Sequence, residues 1–165
     1  MTTAKKLTDE ERIAIQRQVV KTHIDGESNQ DYDTVKATFV ADDRIYFDSS
    51  PGGIHFDGPA GINEWYIILD SVLPDLHIDV THQYDTVGAS VVEMTASGTH
   101  SADFAGVPAS GRHITWEAIV VFVFDEEEPD KLITERAYWD NDALIKRMKG
   151  EEAPPLMGLL TNPRR

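Results

Sequence analysis

The amino-acid sequence predicts an α+β domain, in which three N-terminal helices and a short C-terminal helix pack on one face of a curved, mostly antiparallel sheet. Two observations carry this prediction. Before Pro74, apolar residues recur every three to four positions in three segments, which is typical of amphipathic helices. After Asp75 they alternate with polar residues, which is typical of half-buried strands. Helices followed by a meander of strands give a two-layer domain with one concave pocket between the layers.

The first two helices have clear sequence signals. Thr8 is followed three residues later by Glu11, which is a capping box, and apolar positions then continue on one face until Gly26. A second, shorter helix is predicted from about Asp31. Its apolar residues are spaced three and four apart: Tyr32, Val35 and Phe39. A short strand is predicted next, over residues 44–47.

The third helix is predicted between the turn Asp57-Gly58-Pro59 and Pro74. Its apolar face consists of Ile62, Trp65, Tyr66, Leu69 and Leu73. Four strands with period-two alternation follow, over residues 75–81, 91–104, 113–124 and 132–140. A last helix is predicted over residues 141–149, and residues 150–165, which contain three prolines, are expected to form a tail.

Length and charge limit the function classes. The chain has 165 residues and a net charge of 15 − 29 = −14, which fits one acidic domain, expected over residues 8–149. Such a charge disfavours nucleic acid and anionic membranes as partners. The absence of cysteine excludes thiol catalysis and thiolate metal sites. Because no signal-peptide pattern or long apolar run is present, we expect a cytoplasmic location.

Glu135 is the first candidate catalytic residue. In the last strand it shares a face with Ile133, Ala137 and Trp139, so its carboxylate lies among apolar neighbours. The alternative is a structural salt bridge to an arginine such as Arg112.

Two histidines are predicted to face the same interior. His100 ends the inner face of the second long strand, and His23 lies on the core side of the first helix. With Glu135, and with Asp48 or Tyr46, they are predicted to converge as acid and base in a hydrophobic pocket. The alternative for each histidine is a hydrogen-bonded core residue without a catalytic role.

No metal or cofactor is predicted. Asp75, His77, Asp79 and His82 look like a ligand cluster, but strand geometry places the first three on the polar face of their strand and turns His82 the opposite way from His77. Phosphate-binding glycine loops, a nucleophile elbow and zinc-protease helices are absent from the sequence. The third long strand carries an apolar wall suited to binding: Ile114, Trp116, Ala118, Val120 and Phe122.

Residues 98–112, GTHSADFAGVPASGR, resemble a segment of the SnoaL-like proteins, the polyketide-cyclase relatives in the nuclear transport factor 2-like superfamily. The resemblance extends to residues 131–148 and to Asp57-Gly58-Pro59. It implies a cone, with a bent sheet wrapped around a pocket by three helices, and a homodimer. An outward row of Ile119, Val121 and Val123 is a plausible surface for that dimer.

The resemblance also implies which residues line the pocket. Polyketide cyclases of this family close a ring by an aldol reaction without a cofactor, with an aspartate on the last strand as acid and base. In this sequence Ala137 stands at that position, and Val120 and Ala118 stand where the family has a supporting histidine and glutamine. Positions that line the cavity in the family are held here by His23, Trp65, Trp116 and Glu135. The expected lining also includes Tyr46, Ala118, Val120, Ala137 and Trp139.

Two functions remain open from the sequence. The first is a cofactor-independent cyclase, isomerase or dehydratase that moves a proton on a hydrophobic carbonyl compound, with Glu135 as base and His23 or His100 as donor. The second is a non-catalytic ligand-binding or partner domain, favoured by the apolar residues at the family's acid–base positions. Superfamily relatives also hydrolyse epoxides with several polar residues around one water, and the sequence has no matching arrangement.

Overall fold

The computed structural model describes residues 7–49 and 52–151. Within them the chain forms four helices and six strands. In chain order they are α1 (Asp9–Ser28), α2 (Tyr32–Ala37), β1 (Tyr46–Ser49), β2 (Ile54–Asp57), α3 (Gly58–Val72), β3 (His77–Thr86), β4 (Ala89–Thr99), β5 (His113–Phe124), β6 (Leu132–Trp139) and α4 (Asn141–Lys149). Apart from residues 150 and 151, the expected C-terminal tail lies outside the described residues.

The six strands form one open sheet in the order β2-β1-β6-β5-β4-β3. All neighbouring strands are antiparallel except β1 and β6, which run parallel. The predicted α+β class with a mostly antiparallel sheet is therefore confirmed. Strand β2 was not predicted, because four residues at a sheet edge are too few for an alternating pattern to stand out from a loop.

The capping box and the Asp57-Gly58-Pro59 turn that the sequence predicts are both present at the starts of their helices. The Thr8 amide donates to Glu11 Oε2 at 2.8 Å, and the Glu11 amide donates to Thr8 Oγ1 at 3.2 Å, which completes the capping box at the start of α1. Helix α3 begins at Gly58, whose φ of +66° suits glycine, with a proline directly after it. Asp140 caps the N-terminus of helix α4, and Gly150, which follows its last residue, is left-handed like Gly58.

The second long strand ends earlier than predicted. β4 stops at Thr99, and residues 100–112 form a loop outside the sheet in which the chain reverses at Ala105 and Gly106, both with positive φ. His100 still anchors this segment, since its amide donates to the Arg112 carbonyl at 2.9 Å and its carbonyl accepts from the Gly111 amide at 2.9 Å.

The strand faces follow the predicted alternation where the helices cover the sheet. The even-numbered residues of β4 are buried, and so are most of those in β5. β3 extends beyond its predicted end to Thr86 and shifts register between Val80 and His82, which marks a bulge. The helices thus lie on one face of the sheet, and the core between the two layers holds the site.

Candidate active site

A buried polar cluster connects α1, α3 and β6. Tyr66, on α3, donates its hydroxyl proton to Glu135 Oε2 on β6 at 3.0 Å, and its oxygen lies 3.1 Å from His23 Nε2 on α1. His23 Nε2 is also 3.3 Å from Glu135 Oε2 and 3.8 Å from Glu27 Oε1. All four side chains are nearly inaccessible to solvent. The cluster brings two carboxyls, a phenol and an imidazole together inside the core.

The orientation of the His23 ring is fixed from its other side. Nδ1 lies 2.8 Å from Thr38 Oγ1, and the Thr38 hydroxyl donates to the Val35 carbonyl at 2.6 Å. Since that hydroxyl proton is already used, Nδ1 must be the donor to Thr38. Phe39 and Phe122 pack edge-on against the ring, with centroids 5.5 and 5.2 Å away. His23 therefore holds Nε2 toward Tyr66 and Glu135.

Burial changes the acidity of two members of the cluster. The pKa of Glu27 is raised well above its usual value, first by desolvation and then by the nearby charge of Glu135, while hydrogen bonding to Tyr66 opposes the rise. Burial, and next the charges of Glu135 and Glu27, also raise the pKa of Tyr66. Glu27 therefore keeps a proton to higher pH than an exposed glutamic acid does, and Tyr66 remains a neutral donor.

The Glu27 carboxyl is expected to make the protein less stable as pH rises. Its folded-state pKa lies above the usual 4.5, so the folded chain holds a proton that the unfolded chain releases. Its contribution to the free energy of unfolding is complete below pH 4.5 and is lost as pH rises through the folded-state pKa. Within that window, wild type should lose up to about 1.4 kcal/mol per pH unit relative to Glu27→Gln.

Urea unfolding of both proteins across pH measures this difference. Glu64→Gln, at an exposed position of α3, is the control and should keep the wild-type dependence. Parallel curves for wild type and Glu27→Gln would contradict the assignment of this proton to Glu27.

An apolar cavity adjoins the cluster. Glu27 and Glu135 reach its wall, and the rest of the described lining is aliphatic or aromatic, from α3, α4 and the covered face of the sheet. Six residues expected from the sequence lie on this wall: Trp65, Trp116, Ala118, Val120, Ala137 and Trp139. His23 contacts Glu135 and Tyr66 without lining the cavity. The carboxyl groups of Glu27 and Glu135 therefore lie at the edge of an otherwise apolar cavity.

Three other candidates from the sequence lie elsewhere. Phe47 lines the cavity, so its strand neighbours Tyr46 and Asp48 are on the opposite face, where Asp48 Oδ1 is 3.3 Å from Nδ1 of His55. His100 is buried, but its Nδ1 lies 3.0 Å from Ser110 Oγ in the segment that leaves the sheet. The structure therefore does not bring Tyr46, Asp48 or His100 to the cavity.

Two members of the cluster were not predicted from the sequence. Glu27 follows His23 by four residues on α1, a spacing that places both on one helix face, and this signal was available. Tyr66 was identified only as part of the apolar face of its helix. The expected alternative for Glu135, a salt bridge to Arg112, differs from the structure, where Glu135 contacts Tyr66 and His23 and Arg112 is exposed.

The cluster is also a possible set of metal ligands. Single ligand atoms of His23, Glu27 and Glu135 lie within 4.8 Å of one another. The Tyr66 hydroxyl already contacts two of these residues, so hydrogen bonds satisfy atoms that a cation would otherwise use. The ligand cluster that the sequence suggested at first sight, Asp75, His77, Asp79 and His82, is exposed on the surface. Within it, His77 Nε2 lies 3.4 Å from Asp79 Oδ1. The contacts within the buried cluster thus favour proton chemistry.

Comparison with protein families matches residues 17–147 to the family described as SnoaL-like polyketide cyclase. The comparison with curated proteins found no match. No helix among the described residues combines the length and apolar character needed to span a membrane.

Several solved structures have a similar fold. One, named as a SnoaL-like polyketide cyclase from Jannaschia sp. CCS1, has a TM-score of 0.73 at 18% identity, over 93% of this chain and 100% of that chain. AclR from Streptomyces galilaeus, named as a hydroxylase, has a TM-score of 0.71 at 16% identity, covering 89% and 88%. A LEH-like epoxide hydrolase from M. tuberculosis has a TM-score of 0.66 at 15% identity, covering 89% and 96%. A structure named as an NTF2-like protein from Burkholderia pseudomallei has a TM-score of 0.66 at 15% identity, covering 81% and 97%, which confirms the nuclear transport factor 2-like fold that the sequence resemblance implied.

Proposed function

The chain belongs to the SnoaL-like polyketide cyclase family, and we propose that it is a cofactor-independent enzyme that transfers protons on a hydrophobic, carbonyl-bearing small molecule. The reaction is of the cyclase, isomerase or dehydratase type. The observation that carries this proposal is the hydrogen-bonded cluster of Glu135, Tyr66 and His23 at the wall of an apolar cavity. Such a setting excludes water and supports acid–base chemistry.

The proposed roles follow from which groups reach the cavity. Glu135 takes the proton from the carbon next to the carbonyl, and the electron pair of the broken C–H bond forms an enolate. Glu27, which lines the cavity and keeps its proton to raised pH, donates that proton to the enolate oxygen. The sequence suggested His23 or His100 as donor, but His23 does not line the cavity. Tyr66 and His23 are therefore proposed as positioning residues for Glu135.

Deuterium exchange tests this function. In D₂O, the protein should accelerate exchange of the protons next to the carbonyl of 1-tetralone, a neutral bicyclic ketone, followed by NMR. Tyr66→Phe removes the donor to Glu135 Oε2 and should slow exchange about fivefold to tenfold, since one hydrogen bond contributes about 1 kcal/mol or somewhat more. The loss should be in the exchange rate at saturating ketone, with the dissociation constant unchanged, because Tyr66 contacts Glu135 and does not line the cavity.

Tyr32→Phe is the matched control for that experiment. Tyr32 stacks on Tyr66 with ring centroids 5.3 Å apart, but its buried hydroxyl has no hydrogen-bond partner among the described residues. This variant should keep the wild-type exchange rate and dissociation constant. Equal effects of the two substitutions, or a loss confined to the dissociation constant in Tyr66→Phe, would speak against the proposed role of Tyr66.

A ligand-binding domain without catalysis is the second candidate. The observation in its favour is that Ala118, Val120 and Ala137, which stand at the family's acid–base positions, all lie on the cavity wall. A ligand that binds tightly, exchanges no protons and is recovered unchanged would support this alternative.

We also propose that the protein is a cytoplasmic homodimer that associates through the outer face of the sheet. Ile119 is 45% exposed and pairs across β5 and β6 with Tyr138, which is 37% exposed, while Val121 and Val123 beside them are half-buried. Sedimentation should show a dimer in wild type and more monomer in Ile119→Glu, because the charge would be buried in the interface. Ile67→Ser, at a 59% exposed site on α3, on the helix side of the sheet, is the control. A monomer at high wild-type concentration would exclude the dimer.

A further inference from the structure

Two indole groups at the cavity have unused hydrogen-bond donors. Trp65 and Trp139 both line the cavity, and the Nε1 atom of each is buried without a partner among the described residues. Trp65 is 6% exposed, and its ring is held by stacking on Phe47 with centroids 4.1 Å apart. A buried donor without an acceptor is unfavourable because it has lost its hydration, so an acceptor supplied by a ligand would relieve that penalty.

The charge of the cavity restricts the ligand further. Its described lining has two carboxyl groups, those of Glu27 and Glu135, and no lysine, arginine or histidine. The whole chain carries a net charge of −14. A carboxylate or phosphate ligand would lose its hydration in a space whose described lining has no cation to offset its charge. The cavity is therefore unsuited to anions, and its unpartnered indole N–H donors cannot pair with an ammonium group, which is itself a donor without an acceptor.

We propose that the cavity binds an uncharged, mostly apolar molecule with an oxygen acceptor, and that the indole N–H groups of Trp65 and Trp139 donate to its oxygens. The inference rests on the proposed function only in taking the cavity as the ligand site. It assigns the two tryptophans a role in specificity, which neither the family match nor the acid–base cluster provides. The carbonyl of a neutral ketone is the simplest group that meets both conditions.

Four probes with one carbon frame test the ligand class by calorimetry. They are tetralin, 1-tetralone, tetralin-1-carboxylate and protonated 1-aminotetralin. In a purely apolar site the ketone would bind more weakly than tetralin, because its carbonyl loses hydration. We expect 1-tetralone to bind at least as tightly as tetralin and about 100-fold more tightly than the carboxylate, a difference of about 2.7 kcal/mol. Tighter binding of tetralin, the carboxylate or the amine, or no binding of any probe, would overturn the proposal.

Tryptophan-to-phenylalanine variants test the two donors. Trp65→Phe and Trp139→Phe keep an aromatic ring and remove the N–H, so each should lower the affinity ratio of 1-tetralone to tetralin about fivefold, as expected for one hydrogen bond. Trp116→Phe is the matched control, since Trp116 lines the cavity but its nitrogen is not among the buried unpartnered donors. A ratio that stays constant in both variants, or falls equally in the control, would overturn the assignment.

These binding measurements are separable from the catalytic test. If 1-tetralone binds with the expected ratios and shows no accelerated proton exchange, the proposed enzyme activity fails and the specificity assignment stands. If exchange is accelerated while both tryptophan variants leave the ratio unchanged, the specificity assignment fails and the proposed activity stands.

Discussion

Replacing Glu135 by glutamine is expected to slow proton exchange by a factor of about 10²–10⁴, the usual contribution of general acid–base catalysis. The amide has nearly the shape of the carboxyl, and its oxygen still accepts the hydrogen bond that Tyr66 donates to Oε2. It cannot remove a proton from carbon. Binding of 1-tetralone should change little, so the loss should be in the rate constant measured at saturation. Exchange rates by NMR and dissociation constants by calorimetry measure the two quantities separately.

Glu117→Gln is the matched control for this prediction. Glu117 lies on β5, the strand next to β6, and its side chain is exposed. The same chemical change there should leave exchange at the wild-type rate. An unchanged rate in Glu135→Gln would exclude this carboxylate as the base and favour the binding domain. Loss of cooperative unfolding in Glu135→Gln would instead assign Glu135 a structural role.

Truncating Phe122 to alanine is expected to lower the free energy of unfolding by about 3–5 kcal/mol, as for other large buried aromatic residues. Phe122 is fully buried, lies opposite Glu135 across β5 and β6, and packs edge-on against the ring of His23. Its removal leaves a void beside the polar cluster, where neighbouring side chains cannot close it without leaving their hydrogen bonds. Urea unfolding followed by circular dichroism measures the change.

Two variants on the same strand set the scale for that loss. Phe122→Leu fills most of the void and should lose considerably less stability than Phe122→Ala. Thr115→Ala, on the exposed face of β5, should stay within about 0.5 kcal/mol of wild type, as is usual for surface substitutions. A loss below about 1 kcal/mol in Phe122→Ala would show that this part of the core repacks readily, which would contradict a rigid support for His23.

The sequence by itself determined the four helices, the four long strands and most of the inner faces of those strands. The capping box at Thr8, the periodicity of α1 and α3, and the period-two alternation of the long strands depend on neighbours within a few positions along the chain. For the same reason the sequence could place Glu135 beside Ala137 on the covered face of β6. The resemblance of residues 98–112 to a segment of the SnoaL-like family added the fold, and the family model matches residues 17–147.

Only the tertiary structure decided which side chains meet. Tyr66 and Glu135 are 69 positions apart, and their contact depends on how α3 crosses the sheet, which no local period encodes. The raised pKa of Glu27 likewise arises from burial against a carboxylate on another element.

The same distinction explains the candidates that lie outside the cavity. His100 follows the end of β4, where its buried side chain contacts Ser110 instead of the cavity, and Asp48 lies on the far face because its neighbour Phe47 takes the inner one. Local periodicity tells which face of an element a residue occupies. The distance between two faces depends on helix packing and strand register, which the whole chain sets together.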